Sequence, residues 1–155
     1  MDIDSSNTYE KFVSGFYSSH NMEYPKTPPV DGYVTRGLQL ENNHLGIDIA
    51  TKSQNDVRVP IAGRVMYSGM NDDLGKTIII SHATGFVTVY GHNDTIMVNM
   101  GDVLEKNQII SRVGETGKTK GPHLHFEIWK NNKVLDPREI IPKYKQKDVS
   151  IRQTR

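Results

Sequence analysis

Two short stretches hold the residues best able to do chemistry. The first is Asn43-His44-Leu45-Gly46-Ile47-Asp48-Ile49-Ala50. Leu45, Ile47 and Ile49 alternate with His44, Gly46 and Asp48, so on a strand of period two the imidazole and the carboxylate share one side. Gly46 lies between them and has no side chain to block the space. Such a pair suits a divalent metal, and it equally suits a surface His–Asp ion pair of small worth. The second stretch is Gly121-Pro122-His123-Leu124-His125-Phe126-Glu127-Ile128-Trp129. His123, His125 and Glu127 fall on one face and Leu124, Phe126 and Ile128 on the other. Two rings buried without partners would cost roughly 1–3 kcal/mol each, which argues that this face opens on a site.

Together these give His44, Asp48 and His125 as a candidate set of two histidines and one carboxylate. Three protein ligands leave a fourth tetrahedral position for water, the arrangement that separates catalytic from structural zinc. His123 and His92, in Val89-Tyr90-Gly91-His92-Asn93, remain as imidazoles able to move protons or hold an oxyanion. On its own position, where a strand gives way to a loop, His92 reads as structural. His82, at another strand end, reads as structural or as a support behind the site, and His20 as idle.

The elements that must position these residues are short strands. Val57, Val59 and Ile61 alternate with polar residues. Gly63–Tyr67, Thr77–Ser81, Phe86–Tyr90, Ile109-Ile110 and Leu124–Trp129 follow, separated by Gly- and Asn-rich turns. This predicts an all-β, antiparallel sheet or sandwich with a groove. A short N-terminal helix carries Tyr9, Phe12, Val13, Phe16 and Tyr17 on one stripe, with Asn7 and Glu10 as a capping pair. Tyr24-Pro25-Lys26-Thr27-Pro28-Pro29 is an extended linker. The expected division is helix and linker over 1–27, the main domain over 28–142, and a basic, solvated tail over 143–155. The segment 9–30 could lie across the groove, and the stripe within 9–17 could join two copies.

The chain has 155 residues, 19 Lys plus Arg against 18 Asp plus Glu, and no cysteine. The near-zero net charge gives no general pull toward nucleic acid. The missing cysteine excludes disulfides, thiolate nucleophiles and Cys-based zinc sites. The first 20 residues carry Asp2, Asp4 and Glu10 and do not read as a secretory leader.

The chain resembles the M23 metallopeptidases of the LytM or lysostaphin type. His44-Leu45-Gly46-Ile47-Asp48 matches the H-x-x-x-D motif and His123-Leu124-His125 the H-x-H motif. Tyr90-Gly91-His92, Gly114–Pro122 and Val134-Leu135-Asp136-Pro137 support the match. The resemblance implies zinc (Zn2+) held by His44, Asp48 and His125, catalysis by His92 and His123, and substrate contacts from Tyr90, Arg36 and Thr119. It further implies cleavage of peptide cross-links in bacterial peptidoglycan at the cell envelope, with cell-envelope proteins as further partners. Some members of the family have lost zinc ligands and activate amidases instead; this chain keeps the full set. The family's Tyr-x-His-Leu is Tyr90-Gly91-His92-Asn93 here, and Arg36 stands in for the arginine of a longer Phe-Gly-x-Arg segment.

Overall fold

The computed structural model describes residues 5–153. Ten strands form one antiparallel sheet system: β1 (Tyr33–Arg36), β2 (Ile47–Ala50), β3 (Asp56–Arg58), β4 (Gly63–Asn71), β5 (Gly75–Ser81), β6 (Phe86–Ile96), β7 (Val103–Leu104), β8 (Ile109–Val113), β9 (His123–Lys130) and β10 (Lys133–Leu135). The main path runs β1-β2-β9-β6-β5-β4-β7, so strands from opposite ends of the chain become neighbours at its centre. The helices are α1 (Ser5–Ser19), α2 (Pro137–Ile140), α3 (Pro142–Gln146) and α4 (Ser150–Gln153).

The alternation of the sequence decides the two faces of the sheet. Ile47, Ile49, Leu124, Phe126, Ile128, Phe86 and Tyr90 are wholly buried on the core face. Asp48, His123, His125 and Glu127 therefore point the other way. β6 forks: Phe86–Gly91 pair with β9, whereas Asn93–Ile96 pair with β8. His92 stands at the fork with φ +64°, in the left-handed region unusual for a residue with a side chain. This kink resembles a β-bulge in its effect, because it turns a residue out of simple alternation.

α1 lies against the core face. Val13 and Tyr17 are buried, and Tyr17 packs edge-on against Phe86 with ring centroids 5.3 Å apart. The Lys130 ammonium sits 5.4 Å from the Tyr17 ring and 5.0 Å from that of Phe86. Phe12 and Phe16, expected on the same buried stripe, are exposed. Glu10 does not face solvent as a cap would; it is buried and accepts the Asp136 backbone N–H at 2.8 Å. The side chain of Asn7 lies outside the described residues. Because α1 occupies the core face, it does not lie across the groove.

Residues 143–149 pack on the sheet edge, in place of the start of a free solvated tail. Tyr144 is buried, the Val34 N–H donates to the Lys147 carbonyl at 3.0 Å and the Val149 N–H to the Val34 carbonyl at 2.9 Å. Asp148 pairs with Arg138 at 2.9 Å. Among the described residues no helix is long and apolar enough to cross a membrane.

Candidate metal centre and active-site cleft

Asp48 and His125 are directly opposed partners in the β2–β9 ladder, which places their side chains together on the outer face. His44 does not extend that strand, as the alternation suggested. β2 begins at Ile47, and His44 lies just before it, bridged to Gln39 and preceded by Asn43 in a left-handed turn (φ 56°). The turn still delivers the ring: His44 Nε2 is 3.2 Å from Asp48 Oδ1. Gly46 is needed for this approach, because a Cβ there would stand 2.3 Å from the Phe126 carbonyl oxygen and 2.8 Å from Glu127 Cγ.

One ligand atom each from His44, Asp48 and His125 lie within 4.8 Å of one another. Hydrogen bonds on the far sides of the rings select the tautomers. His44 Nδ1–H donates to the Gly37 carbonyl at 2.7 Å, leaving the Nε2 lone pair for the site. His125 Nε2–H donates to Glu127 Oε2 at 2.8 Å, leaving Nδ1 beside Asp48 Oδ1 at 2.9 Å. The second Glu127 oxygen accepts Trp129 Nε1–H at 2.8 Å. Two imidazoles, each oriented from behind by a hydrogen bond, and a carboxylate between them match the ligand types that zinc takes from proteins.

The electrostatics agree with this reading. Burial pushes the Asp48 carboxyl up, but its close contacts with His125 and His44 and the adjacent imidazoles prevail and hold it well below the usual carboxylate range. Burial pushes His125 down, yet its contacts with Asp48 and Glu127 raise it to about 9. Without a metal the His125 ring therefore holds a proton on each nitrogen, donating Nδ1–H to Asp48 and Nε2–H to Glu127.

His92 and His123 face each other beside this group, ring centroids 4.6 Å apart. His92 Nδ1–H donates to the Thr116 carbonyl at 2.7 Å. Burial is the largest influence on His92 and lowers its pKa despite that bond, so it stays neutral at neutral pH. His123 Nδ1 lies 3.0 Å from both the Gly121 carbonyl oxygen and Thr119 Oγ1, and its Nε2 is 3.7 Å from Asp48 Oδ1. Thr116 is held in place by its hydroxyl, which donates to the Asn93 carbonyl at 2.6 Å, and by Gly117, whose φ of +79° lets the loop close onto Gly75.

A cleft of about 1260 Å³ surrounds these residues, with Arg36, Thr119, Lys120 and Leu74 among its walls. Its described lining starts at Thr35. Tyr90, expected as a substrate contact, is not in the cleft. It is wholly buried on the core face, with its hydroxyl 2.6 Å from Thr88 Oγ1, because odd and even positions of β6 face opposite ways before the kink. Thr119 lines the cleft but is also tied to His123. His82 is structural: its ring contacts the Ala62 carbonyl (2.9 Å) and Thr88 Oγ1 (2.7 Å). In the sequence Glu127 shows only as continuing the face of the histidines. Its two-residue spacing to both His125 and Trp129 was the signal for its orienting role.

The profile of peptidase family M23 matches residues 42–137, and the chain belongs to that family. A murein hydrolase activator, NlpD, of Salmonella typhimurium is 34% identical over 116 residues, covering 74% of this chain and 30% of that protein. A DD-carboxypeptidase/endopeptidase, Mpg, of Neisseria gonorrhoeae is 34% identical over 94 residues, 61% of this chain and 22% of that protein. The crystal structure of a zinc-containing peptidase from Vibrio cholerae superposes with a TM-score of 0.62 at 30% identity, covering 71% of this chain and 38% of that one. The chain thus spans less than a third of the length of these two curated relatives.

Proposed function

We propose that this chain is a zinc-dependent endopeptidase that hydrolyses peptide cross-links of bacterial peptidoglycan at the cell envelope, with residues 28–142 as the peptidase unit. One observation carries the reading: a complete donor set, His44, Asp48 and His125, stands beside two further imidazoles, His92 and His123, whose Nδ1 atoms are engaged behind the site. Bound zinc would supply Lewis acidity toward a carbonyl oxygen and lower the pKa of water. His44 Nε2, Asp48 Oδ1 and His125 Nδ1 would hold it. His92, neutral with its Nε2 lone pair free, accepts the proton of the attacking water. His123 Nε2 carries a proton to the departing amine. Arg36, at the cleft wall, contacts the substrate chain.

A second reading is favoured by the name of the NlpD relative: a module that binds and activates other wall hydrolases. Digestion of purified sacculi, with and without a chelator, separates the two. The peptidase reading expects chelator-sensitive release of cleaved muropeptides by mass spectrometry. It further expects His123→Ala to lose about 10²–10⁴ in rate while keeping its zinc. Zinc-loaded protein that releases nothing, yet accelerates an added amidase, would establish the activator instead.

A further inference from the structure

The outer face of the sheet does not end at the metal donors. One step along β9 from His125, the cross-strand registers align Glu127, Val89, Ile79 and Tyr67 in a row across β9, β6, β5 and β4. The next step aligns Trp129 with Val87. These residues floor a trough of about 740 Å³ that shares Asn71, Leu74 and Glu127 with the metal cleft. Two residues of strand span about 7 Å, so the trough begins about 7 Å from His125 and extends to about 14 Å.

The polar atoms of this floor are engaged within the protein. Tyr67 Oη–H donates to the Met70 carbonyl at 3.1 Å, Thr77 Oγ1–H to the Gly75 carbonyl at 2.9 Å, and Trp129 Nε1–H to Glu127 at 2.8 Å. Glu127's other oxygen is engaged by His125. The one carboxylate of the floor, Glu127, thus has both oxygens engaged, by His125 and Trp129, and the remaining polar side chains of the lining are Asn71, Asn131 and Asn132, which are exposed. A charged side chain seated on the floor would be desolvated without a free partner. Apolar contact is what the surface offers.

We propose that this trough is a specificity subsite that receives an uncharged, aliphatic segment of the peptide held in the metal cleft. It lies two to four extended residues from the bond to be cut. The proposal rests on the peptidase reading for the identity of the chain in the cleft. Continuity of the two cavities supports that occupant: an extended peptide leaving the cleft along β9 runs onto this floor.

Trp129 is the chain's one tryptophan, so all tryptophan emission comes from the trough, and loading the protein with zinc beforehand holds constant the His125–Glu127–Trp129 chain of hydrogen bonds. The zinc-loaded full chain is titrated with penta-alanine, with the same peptide carrying Lys or Glu at one inner position, and with a chito-oligosaccharide. The expected result is a saturable change in Trp129 emission with penta-alanine and about tenfold weaker binding of the charged peptides. Val87→Asp should weaken penta-alanine about tenfold with zinc affinity unchanged. Should that variant fail to fold, Ile79→Ala should weaken the peptide severalfold. Equal affinity for charged and uncharged peptides, or a response to the sugar and not the peptide, overturns the subsite. So does a peptide whose binding shows in the amide shifts of the cleft with Trp129 silent. Inactivity toward sacculi with the Trp129 response intact would instead sink the peptidase reading and leave the apolar site standing.

Discussion

Replacing Glu127 by Gln should change zinc binding in a way that depends on pH. His125 is wedged between Asp48 and Glu127, and in the metal-free protein it is raised to about 9. Zinc must displace the proton on Nδ1 to bind there. At pH 7 only about one His125 in a hundred is neutral, which weakens zinc about 100-fold, or about 3 kcal/mol, relative to pH above 9. Apparent affinity in the wild-type protein should therefore rise about tenfold per pH unit up to pH 9 from this group. Glu127→Gln removes one of the two carboxylates, so the His125 pKa falls toward its ordinary 6.5 and the proton competes less. The same change replaces a charge-assisted acceptor behind Nε2, which typically costs 10–100-fold in metal affinity. The two effects oppose each other at pH 7 and only the second survives at pH 9. Competition against a calibrated zinc chelator at pH 6.5, 7.5, 8.5 and 9.0 reads the pattern. The deficit of the variant should be about 10–100-fold at pH 9 and should shrink toward pH 7. A deficit that stays constant across pH, or none at pH 9, would refute the claim that Glu127 sets the proton and orientation of His125.

Three further outcomes are expected. Gly46→Ala drives a Cβ into the Phe126 backbone between β2 and β9, so it should destabilise the protein by about 2–4 kcal/mol in urea unfolding and weaken zinc in parallel. Arg138→Ala leaves Asp136 and Asp148 without their shared guanidinium and removes the group packed beneath Gly37, whose carbonyl orients His44. Since about a fifth of that side chain is open to solvent, the expected loss is about 2–3 kcal/mol, below that of a fully buried pair, with Arg138→Lys recovering only part. His82 is buried neutral and its pKa lies below the unfolded 6.5, so the unfolded chain takes the proton more readily. Its contribution is complete above about pH 6.5 and is lost as pH falls below it. His82→Gln should therefore flatten the drop in chelated-protein stability between pH 7.5 and 5, and an unchanged drop would assign it to other groups.

The family and the donor set were legible because both motifs lie on or beside strands, where period two puts chemistry on one face and core on the other. Leu124, Phe126 and Ile128 named the core face and thereby the face of His123 and His125. Tyr90 shows the limit of motif matching: it sits next to functional residues yet its parity in β6 sends it into the core.

What local pattern could not decide was decided by neighbours distant in the chain. His92 reaches His123 only because β6 changes partners from β9 to β8 at that residue, and the resulting kink breaks the alternation that would have buried its ring with Tyr90. α1 was visible as a helix, but which of its apolar residues turn inward depends on Phe86 and Lys130, which lie on strands far along the chain. The segment after residue 142 looked like a solvated basic tail because its anchors, Val34 and Arg138, are remote in sequence. Residue types and spacing determined which atoms could bind a metal and move protons. The pairing of β2 with β9, across 77 residues from Asp48 to His125, brought those atoms together, because backbone hydrogen bonds between distant strands place a side chain where no short-range periodicity can.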